Sequence, residues 1–117
     1  MSNYCFVAPI LPGGEDKMKA WIKDEVKNNA DHDRVMLQAG VSREQVWIQH
    51  TPMGHFAVSS FETDDPGKTF KVLTNSNDPW AAKFRDLLSQ AHGIDFSQPM
   101  PLNELVADWH AMEKIRA

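Results

Sequence analysis

The architecture of this chain turns on EQVWIQHTPMGHFAVSSFE, the run from Glu44 to Glu62. Two segments rich in β-branched and aromatic residues flank Thr51-Pro52-Met53-Gly54-His55. Pro suits the fixed φ of a turn, and Gly supplies a left-handed residue. The spacing predicts a β-hairpin with a three-residue loop that sets Thr51 opposite His55. Side chains alternate along each strand. One face therefore takes Val46, Ile48, His50, Phe56, Val58 and Ser60, and reads as a core face. The other takes Gln45, Trp47, Gln49, Thr51, His55, Ala57, Ser59 and Phe61, and reads as the damp wall of a pocket with aromatic patches.

Upstream, residues 3–10 (NYCFVAPI) read as a strand ended by Pro12-Gly13-Gly14. A helix is predicted from about Glu15, with Met18, Ile22, Val26 and Ala30 on one face. Asn29 and Asp33 fall in the same sector as Ile22 and Val26. Either the helix breaks near Asn28-Asn29, with Asp31 capping a second piece to Ala39, or these polar groups line a cavity. Gly40 is a C-terminal stop. Downstream, Asp64-Asp65-Pro66 and Asn77-Asp78-Pro79 each place an acidic cap before a proline. The first opens a helix to Asn75 and the second a helix to His92, closed by Gly93. Ile94-Asp95-Phe96 suits a short edge strand. Pro99-Met100-Pro101 reads as a stiff linker to a final helix over 102–114, with Leu102, Leu105, Val106, Trp109 and Met112 on one side. The expected division is an α+β domain over 1–98 and a linker-and-helix extension over 99–117.

This order predicts an antiparallel sheet with both main helices on one face. Trp47, Ala57 and Phe61 would then lie on the uncovered face, where a second copy of the sheet, or else the C-terminal helix of the same chain, must shield them. A homodimer is the expected partner arrangement. The 117 residues carry a formal charge of -4 and no basic stripe, which argues against nucleic acid as a partner. The apolar run Tyr4–Leu11 is too short to span a membrane and no signal-peptide pattern accompanies it, so a cytoplasmic location is expected. A single cysteine, Cys5, excludes an internal disulfide and a cysteine zinc cluster. On its strand it should act as a small buried hydrophobe.

Gly40-Val41-Ser42-Arg43-Glu44, Val46 through Gly54, Asp64-Asp65-Pro66 and Asp78-Pro79-Trp80 together resemble the dimeric α+β barrel superfamily, with the nearest likeness to small bacterial proteins of unassigned function. The resemblance covers most of the chain in order and spacing. It implies a ferredoxin-like protomer, sheet-to-sheet dimerisation, and a ligand held between sheet and helices or inside the barrel. The activities it implies are those of a cofactor-independent monooxygenase or isomerase acting on an aromatic or carbonyl compound. It carries no catalytic set onto these residues, and the segment after Pro101 departs from the minimal pattern. A non-catalytic homodimeric module is the competing reading.

The candidate site follows from the damp face. His55 would exchange a proton near neutrality. Trp47 would stack a ligand, and Gln49, Thr51 and Ser59 would hold oxygen atoms. Asp31-His32-Asp33-Arg34 reads as a solvated helix terminus, and His92 as a cation at a helix C-terminus. His50 reads as a bonded core histidine and His110 as a surface one. No two histidines have metal-ligand spacing, so no metal is expected. No dinucleotide, phosphate-loop or nucleophile-elbow motif is present, and no residue stands out as an axial haem ligand, so no cofactor is expected.

Overall fold

A computed structural model describes residues 2–112. The elements run β1 (Ser2–Pro9), α1 (Gly14–Trp21), a π-helical turn (Ile22–Val26), α2 (Ala30–Gln38), β2 (Val41–Thr51), β3 (Gly54–Thr63), α3 (Pro66–Asn75) and α4 (Pro79–His92). The three strands form one antiparallel sheet in the order β1-β3-β2. The helices pack on one side of it, so the α+β class and the one-sided helical layer hold.

Local signals are realised where backbone hydrogen bonds enforce them. Asp65 accepts from Lys68 N at 3.1 Å and Asp78 from Trp80 N at 2.9 Å, each just before a proline that needs no donor partner. The first helix does break, at Lys27-Asn28, where Asn28 takes a positive φ of 52°. The cap is Asn29 rather than Asp31: its side chain accepts from His32 N at 3.0 Å. Gly40, at φ 80°, ends α2 in the left-handed conformation that glycine adopts freely. Gly14 is required for a different reason. A Cβ there would lie 2.6 Å from the carbonyl oxygen of Ala91, so only glycine lets α1 start against the end of α4.

Four expectations are corrected. The hairpin closes with a two-residue turn, because Thr51 pairs with Gly54 and His50 with His55. The Thr51 hydroxyl accepts from Met53 N at 3.1 Å and donates to the Gly54 carbonyl at 2.7 Å, tying the turn one residue tighter than the Pro-Met-Gly loop predicted. Every cross-strand pair consequently moves by one. Second, 94–96 is no strand: Asp95 accepts from Ser97 N and its carbonyl from Gln98 N, which makes a turn. Third, 101–110 has no regular structure, and only Ala111 and Met112 are helical among the described residues of the predicted final helix; 113–114 lie outside them. Leu102, Leu105, Val106, Trp109 and Met112 are all exposed, so the apolar stripe has nothing to bury, and a short helix without packing is marginal in water. Fourth, Cys5 is exposed. Asn103 instead lies along the β1 edge, where its side chain accepts from Cys5 N at 2.8 Å and donates to Cys5 O at 2.9 Å, while the Tyr4 hydroxyl donates to Pro101 O.

The register decides which rings face the helices. Tyr4, Phe61 and Glu44 form one cross-strand row beneath them, Phe6, Ser59 and Val46 the next, then Ala8, Ala57 and Ile48. Tyr4, Phe61, Phe70, Leu73, Trp80 and Val35 make the centre of the core. Trp80 stacks on Phe84 at 5.3 Å and leans on Trp21 at 5.6 Å, and its Nε1 donates to Glu25 O at 2.9 Å. Val7, Val58 and Trp47 line up across all three strands on the opposite, uncovered face. Val7 is 60% and Trp47 48% exposed there. Among the described residues no helix is long and apolar enough to cross a membrane.

Candidate functional site

Between the sheet and its helices lies a cavity of about 280 Å³. Its floor is the row Phe6, Ser59 and Val46 with Ala57 and Phe61. Trp21 and Ile22 close it from the first helix, Phe70 and Leu73 from α3, and Phe84, Leu88 and His92 from α4. Phe96, from the turn that replaces the expected strand, closes another side. The walls are mainly apolar, as small-molecule sites usually are. An apolar cavity of ~150 Å³ suffices for benzene, so this one has room for a one- or two-ring molecule.

Few polar atoms reach it. Trp21 Nε1 is buried and donates to no protein acceptor. A buried N–H without a partner costs about 1–3 kcal/mol, and Trp21 is one of the residues that line the cavity. Ser59 also lines the space. His92 is buried, which corrects the sequence reading of it as a cation at a helix C-terminus. It is 3.0 Å from the carbonyl of Pro9, an acceptor, so Nδ1 carries the proton and donates. Nε2 is left with its lone pair. Burial pushes this imidazole below its ordinary pKa, against the opposing effect of the bond to Pro9, and keeps it neutral at pH 7.

Glu44 lines the cavity too, and its Oε1 lies 2.8 Å from His32 Nε2. His32 Nδ1 is 2.9 Å from Asp33 Oδ1. Only the imidazolium can donate from both nitrogens to two carboxylates. The bond to Glu44 is the main cause that raises the His32 pKa, with burial opposing it and Asp33 assisting. His32 is therefore a bridging cation, 12% exposed at its side chain, rather than part of a solvated terminus. Arg34 does remain at the surface, paired with Asp31 and Asp78 at 2.7 Å each.

The residues singled out in the sequence do not converge. Ser59 lines the cavity. Trp47, Gln49 and Thr51 lie on the opposite sheet face, and the Thr51 hydroxyl is committed to the turn. His55 shares the side of Ser59, but sits four residues along the strand, about 13 Å away. There its Nδ1 lies 3.2 Å from His50 Nδ1. Asn29 caps α2 just after the break, Asp33 lies inside α2, and neither lines the cavity. Trp21 and His92 were missed because Trp21 falls outside the apolar face of Met18, Ile22, Val26 and Ala30, and a helix end is open to water until α1 and α4 are docked. Compared with protein-family models, with characterised proteins and with solved structures, the chain matches none.

Proposed function

We propose that this protein binds a small aromatic or carbonyl compound bearing oxygen, in the cavity between sheet and helices, as a homodimer of the dimeric α+β barrel kind. The reading is carried by an apolar cavity of about 280 Å³ whose wall includes Trp21, a residue with a buried N–H that has no protein acceptor. In this reading Trp21 and Ser59 donate to a ligand oxygen, and the flanking phenyl rings hold its apolar part. Neutral His92 is the base: its Nε2 takes a proton from a hydroxyl or from carbon next to a carbonyl, and returns it in an isomerisation. A cofactor-independent monooxygenase would use the same deprotonation before oxygen attacks. His92 thus takes the role that His55 holds in the sequence reading.

The dimer rests on different ground. The row Val7–Val58–Trp47 and the exposed side chains of Leu102, Leu105, Val106 and Trp109 are apolar surface that a second copy would cover. The same surface favours the second reading, a non-catalytic homodimeric module with a merely roomy core. Titration with 2-naphthol, followed by tryptophan fluorescence, separates the two. Binding is expected in the parent protein, lost in Ala57→Phe, which fills the cavity, and kept in Trp47→Ala. Binding that survives Ala57→Phe and disappears in Trp47→Ala places the ligand on the sheet face and refutes the cavity. Sedimentation at micromolar concentration tests the dimer, with Trp47→Glu expected to give monomer.

A further inference from the structure

We propose that Glu15, His50 and His55 form a binding site for a divalent first-row transition-metal ion. This site is separate from the cavity and does not depend on what the cavity binds. His50 and His55 are directly opposed at the next-to-last pair of the hairpin, on the helix-facing side of the sheet. Glu15 comes from the first turn of α1. Two backbone bonds place that turn: Ile10 N donates to His55 O at 2.9 Å, and Leu11 N to Ala91 O at 2.8 Å.

Three ligand atoms, one from each residue, lie within 4.8 Å of one another. Glu15 Oε1 is 3.6 Å from His50 Nε2 and 3.7 Å from His55 Nδ1. These separations are too long for hydrogen bonds, but close to the ~3.4 Å expected between ligand atoms each ~2.1 Å from one tetrahedral ion. The imidazoles meet edge to face at 88° with centroids 4.3 Å apart, and their Nδ1 atoms lie 3.2 Å from each other.

The carboxylate adds support. Glu15 Oε1 is a buried atom of a side chain 28% exposed, and it accepts no hydrogen bond although both imidazoles stand at ion-pair distance. A buried carboxylate oxygen without a hydrogen-bond donor is costly, and a cation among the three ligands removes that cost. Two imidazoles and one carboxylate suit zinc, iron, cobalt or nickel better than magnesium or calcium. The imidazole side chains remain 57% and 48% exposed. A cleft lined by Ile10, Pro12, Glu15, Asp16 and His55 opens beside them. Three protein ligands thus leave coordination positions for water or a small ligand, the pattern of catalytic rather than purely structural sites.

The test is calorimetric titration of tag-free, chelator-treated full-length protein with Zn²⁺, with histidine ring resonances followed by NMR. The expected result is one ion per chain and shifts confined to the His50 and His55 rings. Loss of a group that only hydrogen-bonds a metal ligand already costs about 10–100-fold in metal affinity. His50→Ala, His55→Ala and Glu15→Gln, each verified as folded by circular dichroism, should therefore each weaken binding by about 100-fold or more. His110→Ala, an exposed residue elsewhere, should leave it unchanged. If these variants fail to fold, the NMR shifts of the parent protein still decide. No binding up to about 1 mM, shifts at other histidines, or affinity unchanged in all three variants would overturn the assignment.

Discussion

One surface of one sheet ends in two different environments. Beneath the π-helical turn, α3 and α4, its side chains face an apolar cavity into which few polar atoms reach. At the hairpin end the same surface meets the acidic first turn of α1, and His50, His55 and Glu15 converge in partial contact with water. Alternation along β2 and β3 is identical in both places. The difference lies in the roof. Aromatic rings from three helices exclude water from the middle of the sheet, whereas a helix start offers carboxylates. A strand pattern therefore selects a side, and the opposing helix decides the chemistry found there.

The largest test of that contrast removes the roof. Trp80→Ala deletes a buried indole stacked on Phe84 and bonded to Glu25 O. It should destabilise the fold by about 3–5 kcal/mol in urea denaturation, by transfer and cavity costs together. A loss under 1 kcal/mol would mean that the aromatic layer is loosely packed. Next, Gly14→Ala forces a Cβ against Ala91 O and should cost about 1–3 kcal/mol. Because it shifts the start of α1, it should also weaken Zn²⁺ binding at Glu15 while 2-naphthol binding stays within about twofold. Equal damage to both would show that the two regions are one mechanical unit.

The smallest effect concerns pH. His92 has a lowered folded pKa, so its contribution to stability is complete above the unfolded value of about 6.5 and is lost as pH falls below it. His32, with a raised folded pKa, contributes fully below the unfolded value and loses its contribution as pH rises through the folded one. His92→Gln should therefore flatten the acid side of the stability–pH curve, and His32→Gln should lower stability at acid pH more than at alkaline pH. Identical profiles for the two variants would contradict the opposed environments.

A single residue of register separates what was legible from what was not. With Thr51 opposite His55, His50 and His55 fall on opposite faces, and their convergence with Glu15 is invisible. The observed pairing of His50 with His55 brings them together. It also moves Ala57, Ser59 and Phe61 beneath the helices while leaving Trp47 outside. The uncovered face consequently keeps the Trp47 indole and loses the Phe61 ring, with Val7 and Val58 taking that place. Ser59 alone of the expected site residues reaches the cavity, because that face of β3 turned out to be the covered one.

Sequence by itself determined features closed by neighbouring residues: the proline-led starts of α3 and α4, the glycine stops at Gly40 and Gly93 and the existence of the hairpin, while it left a break in the first helix as one of two alternatives. Each rests on hydrogen bonds or allowed φ values a few positions apart. Only tertiary structure decided the strand register, the burial of His92 against Pro9, the His32–Glu44 bridge, the irregular path of residues 101–110 and the meeting of Glu15 with two histidines. The His32–Glu44 and His92–Pro9 contacts join groups 12 and 83 positions apart, whose desolvation and pairing energies exist only once the helices are docked on the sheet; the register is fixed nearer by, through the Thr51 hydroxyl in the turn.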